Sequence, residues 1–240
     1  MVFKGGTSLS KCFQIIERFS EDIDISYAAE DGMPGESRKR YLKSAIISSM
    51  ESLELPITNL ESTRSRRSYN SYHVNYPSIY DSMLSIKPEL IIETYVALLP
   101  FPTVIKPVEN YLHFFLQKEH MEKLICEYEL EPFTITTQAI QRTLIDKVFA
   151  LCDYYLTGKI DNHSRHIYDI HRILSSSLLP SDIPCLVHEV RLLREPLPFC
   201  PSASKNINVN QVLGEIIDKA VYQKDYRAIT EGLLFTPVSY

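Results

Sequence analysis

The chain has 240 residues, 45% of them hydrophobic and 23% charged, with a formal net charge of −5 and a sequence pI near 5.8. This is the balance of a globular protein with one large domain or two small ones, and any nucleic-acid partner must meet a local basic patch because the protein is not basic overall. Five scattered cysteines without a CxxC pair argue against a disulfide framework or a zinc site and predict a reducing, cytoplasmic setting. No apolar run approaches the roughly 18–20 residues that span a bilayer, and the glycines and charges that follow Met1 give no sign of a signal peptide.

The chain opens on a short apolar strand, Val2-Phe3, followed by a Gly5-Gly6 turn. Thr7 or Ser8 is placed to cap the next helix, whose buried face reads Leu9, Cys12, Phe13 and Ile16. A second strand follows, in which Ile23 and Ile25 alternate with Asp22 and Asp24, so the two carboxylates project to one face. Gly32, Pro34 and Gly35 mark a loop over 28–35. A helix is predicted over 36–54 with Tyr41, Leu42, Ala45, Ile46, Met50 and Leu53 as its inner stripe and Arg38, Lys39, Arg40 and Lys43 on its outer, leading end. Strands are predicted at 57–60, 72–76 and 90–97, with Arg64, Arg66 and Arg67 in the turn between the first two. Pro100, Pro102 and Pro107 end this β-rich part and suggest a lobe boundary near residue 105. Beyond it, helices are predicted over 108–127, 137–157, 163–178, 182–193 and 208–223, with a long loop over 194–206. The expected fold class is α+β, with a mixed-sheet lobe at 1–105 and a helical lobe at 106–240.

Several residue groups carry chemistry. Glycines allow a ligand close to the backbone, and the helix after Gly5-Gly6-Thr7-Ser8 offers unpaired N–H groups to a phosphate, with Lys11 about one turn in; an ordinary strand-to-helix turn would read the same. The sequence is not the GxxxxGK[ST] phosphate loop. One helix and a return strand separate Gly6 from Asp22 and Asp24, which brings the carboxylates beside the turn and suits a site for Mg²⁺ and a nucleoside triphosphate. Glu93, the only charge in an apolar strand, is the leading candidate for a third carboxylate, against the reading of an outward-facing strand residue. Lys147 and Asp169 sit on consecutive predicted helices among apolar neighbours, where a lysine packs its stem and frees its head. His163, His166 and His171 lack zinc-ligand spacing and read as surface residues. The basic groups at 38–43 and 64–67, with Tyr69 and Tyr72 nearby, could track a nucleic-acid backbone and stack on bases, or be only a solvated helix end and turn.

Taken together, Phe3-Lys-Gly-Gly-Thr-Ser-Leu-Ser-Lys11, Arg18-Phe-Ser-Glu-Asp-Ile-Asp-Ile25, Leu144-Ile-Asp-Lys-Val-Phe-Ala-Leu151 and Arg165-His-Ile-Tyr-Asp-Ile170 resemble the AbiEii/AbiGii-type nucleotidyltransferase toxins of the DNA polymerase β-like superfamily. The resemblance covers most of the chain. It implies a mixed-sheet nucleotidyltransferase lobe followed by a helical lobe, with Gly5, Gly6 and Thr7 at the nucleotide phosphates, Asp22 and Asp24 on the metal, and Lys147 and Asp169 as functional residues of the second lobe. It further implies Mg²⁺ or Mn²⁺ as cofactor, an NTP substrate, an RNA acceptor such as tRNA, and a cognate antitoxin in a toxin–antitoxin or phage-defence pair. Such proteins usually carry a helical segment before the first strand, whereas this chain begins inside that strand. The expectation that follows is a sheet face left uncovered at β-strand one and self-association through it. The other expectations weighed are a catalytically idle nucleotide- or partner-binding protein of the same fold and a transferase acting on a small molecule.

Overall fold

The structure is a computed structural model that describes residues 1–20, 22–27, 35–65, 67–77, 89–180 and 183–240. Nearly all of the expected 28–35 loop, and Arg66, lie outside those residues. The described chain runs β1 (Val2–Lys4), α1 (Gly5–Lys11), β2 (Asp22–Ser26), α2 (Gly35–Ser52), β3 (Tyr69–Asn75), β4 (Glu89–Tyr95) and β5 (Thr103–Val108). It continues through α3 (Tyr111–Lys118), α4 (Glu122–Glu127), β6 (Phe133–Gln138), α5 (Ile140–Leu156), α6 (Arg165–Leu174), α7 (Ile183–Arg194), α8 (Val209–Asp218) and the single turn α9 (Gln223–Asp225). The strands form one open mixed sheet in the order β3-β4-β2-β1-β6-β5, and the protein is of the α+β class.

Alternation decides the two faces of this sheet. Ile23 and Ile25 of β2, Tyr72 and Val74 of β3, and Leu90 and Ile92 of β4 pack with Leu42, Ile46 and Met50 of α2. Asp22, Asp24 and Glu93 therefore project from the opposite face. Tyr41 and Leu53, expected on the inner stripe of this helix, are exposed; the sheet is met by a narrow row spaced by four, Tyr41 falls to its side, and Leu53 lies past the last helical residue, Ser52. The expected strand at 57–60 is instead a single bridge from Ile57 to Val74 followed by one 3-10 turn at Leu60–Ser62.

The larger departure comes after the prolines. Thr103–Val108 and Phe133–Gln138 pair antiparallel, and β6 adds parallel to β1 through Phe3 and Thr137. The sheet thus draws strands from both sides of residue 105, and the helix expected over 108–127 is two short helices inside the β5–β6 connection. In consequence β1 is an interior strand paired on both edges, with Val2 1% and Phe3 7% exposed. The exposed apolar strand and unpaired edge expected at β1 are absent among the described residues, because β2 and β6 pair with its two edges and Val2 and Phe3 are buried. The outermost strands are β3, whose free edge is partly covered by 56–59 through the Ile57–Val74 bridge, and β5, which has no further strand beside it among the described residues and whose Ile105 is 74% exposed.

Helix α5 is the axis of the helical layer. Ile140 and Leu144 face α1, α6 and the C-terminal turn through Leu9, Ile16, Tyr168 and Tyr226. Ile145 and Phe149 face α7, and Leu151 and Cys152 face α8. A helix surrounded in this way buries charges as well, and each has a partner. Arg142 bonds Asp146 at 3.1 Å, while Asp153 accepts from Arg194 at 2.9 Å and from the Ser202 hydroxyl at 2.6 Å. That last contact explains why 194–206, expected as a long loop, includes the buried residues Cys200, Ser202 and Ala203.

Candidate functional site

Three strand ends converge at one rim of the sheet. β1 and β6 run parallel, so their exits into α1 and α5 lie at the same end. β2 runs antiparallel to β1 with Asp24 opposite Lys4, so Asp22 extends past the end of β1 towards the glycines. β4 runs parallel to β2 with Glu93 opposite Asp24. Lys4, Asp24 and Glu93 therefore form a row across three strands, and strand alternation sets Asp22 beside it. A cleft of about 510 Å³ opens over this row and is closed on the far side by residues of α5 and α6, including Lys147, Tyr154 and Arg165.

The glycine pair has a steric reason in this arrangement. Gly5 has φ +73°, and a Cβ there would overlap the Asp24 carboxylate. A Cβ on Gly6 would lie 2.6 Å from an Arg18 guanidinium nitrogen. The first turn of α1 is thus the bed on which Asp24 and Arg18 rest. Helix α1 starts at Gly5 itself, so Thr7 and Ser8 lie inside it and cap nothing; Ser8 Oγ donates back to the Gly5 carbonyl at 2.9 Å. Thr7 Oγ1 donates to the Asp22 carbonyl and shares a second hydrogen bond with the Ser20 hydroxyl, which fixes the start of β2.

Electrostatics set the carboxylates apart from one another. Burial raises the Asp24 pKa and the Asp22 charge adds to this, opposed by Lys4 and Lys147. Burial also raises the Glu93 pKa, with the charges of Asp24 and Asp22 adding to it, although Glu93 accepts a hydrogen bond from Tyr69 Oη at 2.7 Å. Asp22 Oδ2 receives Arg165 Nη2 at 3.2 Å. Among the described residues, no three Asp, Glu, His or Cys side chains converge in a way that could hold a metal ion. The donor chemistry nevertheless fits a hard cation: oxygen ligands on one face, two of them with raised pKa values that a nearby positive charge would lower. Asp22, Asp24 and Glu93 are the residues that would hold Mg²⁺ or Mn²⁺.

Asp169 lies below the cleft and does not line it. It is fully buried, accepts two hydrogen bonds from Arg18 at 2.7 and 2.8 Å, and pairs with Lys147 Nζ at 2.7 Å. Burial acts to raise its pKa, but the Lys147 and Arg18 charges outweigh this and hold it well below the usual carboxylate range. Lys147 does line the cleft, with its ammonium tied to Asp169.

Of the residues singled out in the sequence, the cleft brings together Gly5, Gly6, Asp22, Asp24, Tyr69, Glu93 and Lys147. It does not bring Thr7, Ser8 or Lys11, and the Lys11 ammonium sits 3.3 Å from the centre of the Tyr111 ring. His163 and His166, expected at the surface, belong to the cleft wall, and His163 stacks on Tyr154 with ring centroids 3.5 Å apart. Burial holds the pKa of His166 well below its ordinary value, so the ring is neutral near pH 7. Tyr72 is fully buried under α2 and cannot stack on a base. The basic residues of α2 ride on the helix that covers the other face of the sheet, and neither they nor Arg64 and Arg67 line the cleft. Sequence reasoning gave no role to Lys4, Arg18 or Arg165. Two signals were present: Lys4 falls opposite the Asp-x-Asp strand once the strands pair, and Arg18 and Arg165 are the first residues of the two motifs that carry Asp22 and Asp24, and Asp169.

Fold and cleft together define an α+β protein in which a row of carboxylates rests on a diglycine strand-to-helix step and faces a buried Arg–Asp–Lys cluster. The family described as nucleotidyl transferase AbiEii toxin, Type IV TA system, matches residues 1–239, and the chain belongs to that family. By family the protein is a nucleotidyltransferase toxin, and a toxin–antitoxin system pairs such a toxin with a cognate antitoxin. No curated protein matches the chain. Among the described residues, no helix is long and apolar enough to cross a membrane.

Proposed function

We propose that the protein transfers a nucleoside monophosphate from an NTP to the 3′ end of an RNA, with tRNA as the expected acceptor, in a reaction that releases pyrophosphate and requires Mg²⁺ or Mn²⁺. The observation that carries this reading is that one cleft brings Asp22, Asp24 and Glu93 together beside Gly5-Gly6 and opposite Lys147. The cation would supply charge neutralisation at the phosphates and acidify the attacking hydroxyl. Asp22, Asp24 and Glu93 would bind it once Arg165 and Tyr69 release two of them. Lys4 and Lys147 bring positive charge to the triphosphate from either side of the carboxylates. Gly5 and Gly6 leave the backbone accessible beside Asp24. Asp169 and Arg18 are positioning residues that hold Lys147 and the first turn of α1 in place. Modified tRNA ends cannot be aminoacylated, so growth arrest in the cytoplasm, whether in a toxin–antitoxin or a phage-defence setting, is the expected consequence.

One observation favours a second reading, a nucleotide- or partner-binding protein without turnover. Asp22 and Glu93 are engaged by Arg165 and Tyr69, and no three-ligand set is assembled among the described residues. Incubation with each α-labelled NTP and total RNA, in Mg²⁺ or in EDTA, separates the readings. Metal-dependent label on RNA together with pyrophosphate release supports transfer. Label confined to a small molecule would assign a different acceptor, and binding without release would leave the idle reading standing.

A further inference from the structure

The carboxylate row borders two cavities. Beside the cleft described above lies a second, also of about 510 Å³, and the two share Asp22, Glu93 and Arg165 as a common wall. Ser71 and His73 of β3 form the sheet side of this second cavity. Asn162 and the C-terminal turn with Ile229, Gly232 and Leu233 form the other side.

The two cavities differ in charge. Lys4, Lys147, Arg165 and Arg194 all line the first, which suits a triphosphate. Arg165 is the only lysine or arginine among the described residues of the second, where it is accompanied by hydroxyl, imidazole and amide groups and by apolar Ile229 and Leu233. That composition suits a nucleoside end with one adjoining phosphodiester, and the imidazole and amide donors can meet ribose hydroxyls. The segment just before Arg165 is tied to α9 and to the turn that lines the second cavity. Asp225 accepts from the backbone N–H of Asn162 at 2.8 Å and of Ser164 at 3.0 Å, and Ser164 Oγ bonds Thr230 Oγ1 at 2.7 Å.

We propose that this second cavity is the acceptor chamber, taking the 3′-terminal nucleoside of an RNA chain while the NTP lies in the first cleft. The proposal rests on the transfer reading above. An in-line displacement needs the attacking and leaving oxygens on opposite sides of phosphorus. A wall of carboxylates with one chamber on each side meets that demand. The acceptor 3′-oxygen bonds the α-phosphorus, the bond from α-phosphorus to the oxygen bridging to the β-phosphate breaks, pyrophosphate leaves with that oxygen, and the hydroxyl proton passes to a carboxylate of the wall. Arg165, paired with Asp22 in the free protein, is placed to turn to the acceptor phosphodiester.

Two variants and one probe test this. A Cβ on Gly232 meets open space, so Gly232→Trp fills the chamber without a clash at its root, and Ile229→Asp sets a like charge against the RNA. Each should raise the RNA KM at least tenfold while the affinity for a Mg²⁺–α,β-methylene NTP changes less than twofold. A tRNA carrying 3′-terminal 4-thiouridine should photo-crosslink to 226–233 or 69–75 of the wild-type chain. Wild-type RNA KM in both variants, or crosslinks that map instead to α2, would overturn the chamber. If the wild-type protein transfers no nucleotide at all, the transfer reading fails, and the crosslink decides the chamber alone: adducts in those segments keep an RNA 3′-end site there, and their absence removes it.

Discussion

Replacing Asp169 by Asn should cost more stability than any other single change at the site. The carboxylate accepts two bonds from Arg18, at 2.7 and 2.8 Å, and pairs with Lys147 at 2.7 Å, with side-chain exposures of 0% for Asp169, 2% for Arg18 and 8% for Lys147. An asparagine has nearly the same shape but no charge, and its single oxygen can serve only one cation while its amino group confronts the other. Leaving buried charge uncompensated costs about 3–5 kcal/mol. At roughly 2–4 °C per kcal/mol for a chain of this size, the unfolding midpoint should fall by roughly 6–20 °C. Lys147→Met is the comparison. It removes one cation and leaves the paired Arg18–Asp169 bonds intact, so it should cost about 1.5–3 kcal/mol, the worth of one charge-assisted bond. Circular dichroism melts and urea titrations of the three proteins at pH 7.5 measure both. Loss of less than about 1 kcal/mol in Asp169→Asn, or a larger loss in Lys147→Met, would refute the view of Asp169 as the buried anchor of two cations. The same pairing fixes a pH dependence. The folded pKa of Asp169 is depressed, so its stabilisation is complete above the unfolded carboxylate value near 3.9 and is lost as pH falls through the folded one.

Three further outcomes are expected. Gly5→Ala forces a side chain into a left-handed backbone and against Asp24, which should cost about 1–3 kcal/mol in melts and at least roughly a hundredfold in transfer through misplacement of that carboxylate; near wild-type transfer would mean that Asp24 is not the positioned ligand. Asp24→Asn should abolish transfer yet raise the unfolding midpoint in EDTA, because the folded state raises the Asp24 pKa and so pays for its ionisation; Mg²⁺ should stabilise the wild type and not this variant, and an equal Mg²⁺ shift in both would place the cation elsewhere. Calorimetric Mg²⁺ affinity should weaken as pH falls through the raised pKa values of Asp24 and Glu93, so the loss should begin at a higher pH than for an unperturbed carboxylate ligand, and a Mg²⁺ affinity that does not fall on acidification would contradict the assigned ligands.

The sequence by itself determined the strand-to-helix step, the Asp-x-Asp strand and its facing, and the axis helix of the C-terminal half. Each is a local pattern: alternation in β2 sends Ile23 and Ile25 to α2 and the aspartates to the cleft, and the 3.6-residue repeat from Ile140 onwards fixes α5. Even the glycines were legible as a point of close approach, although what approaches in the free protein is the chain's own Asp24 and Arg18. Only the tertiary structure decided the rest. β5 and β6 are hidden by a connection long enough to hold two helices, and their pairing turns β1 from an edge into the middle of the sheet. The same wrapping carries Asp169 and Lys147 beneath Arg18, across 151 residues of chain in the first case, and makes a buried anchor of an acid expected as a functional residue of the second lobe. It also stacks His163 on Tyr154 and sets Arg165 against Asp22. Long-range charge pairing leaves no periodicity in sequence, because partners are chosen by proximity in the folded chain and by the need to neutralise charge out of water.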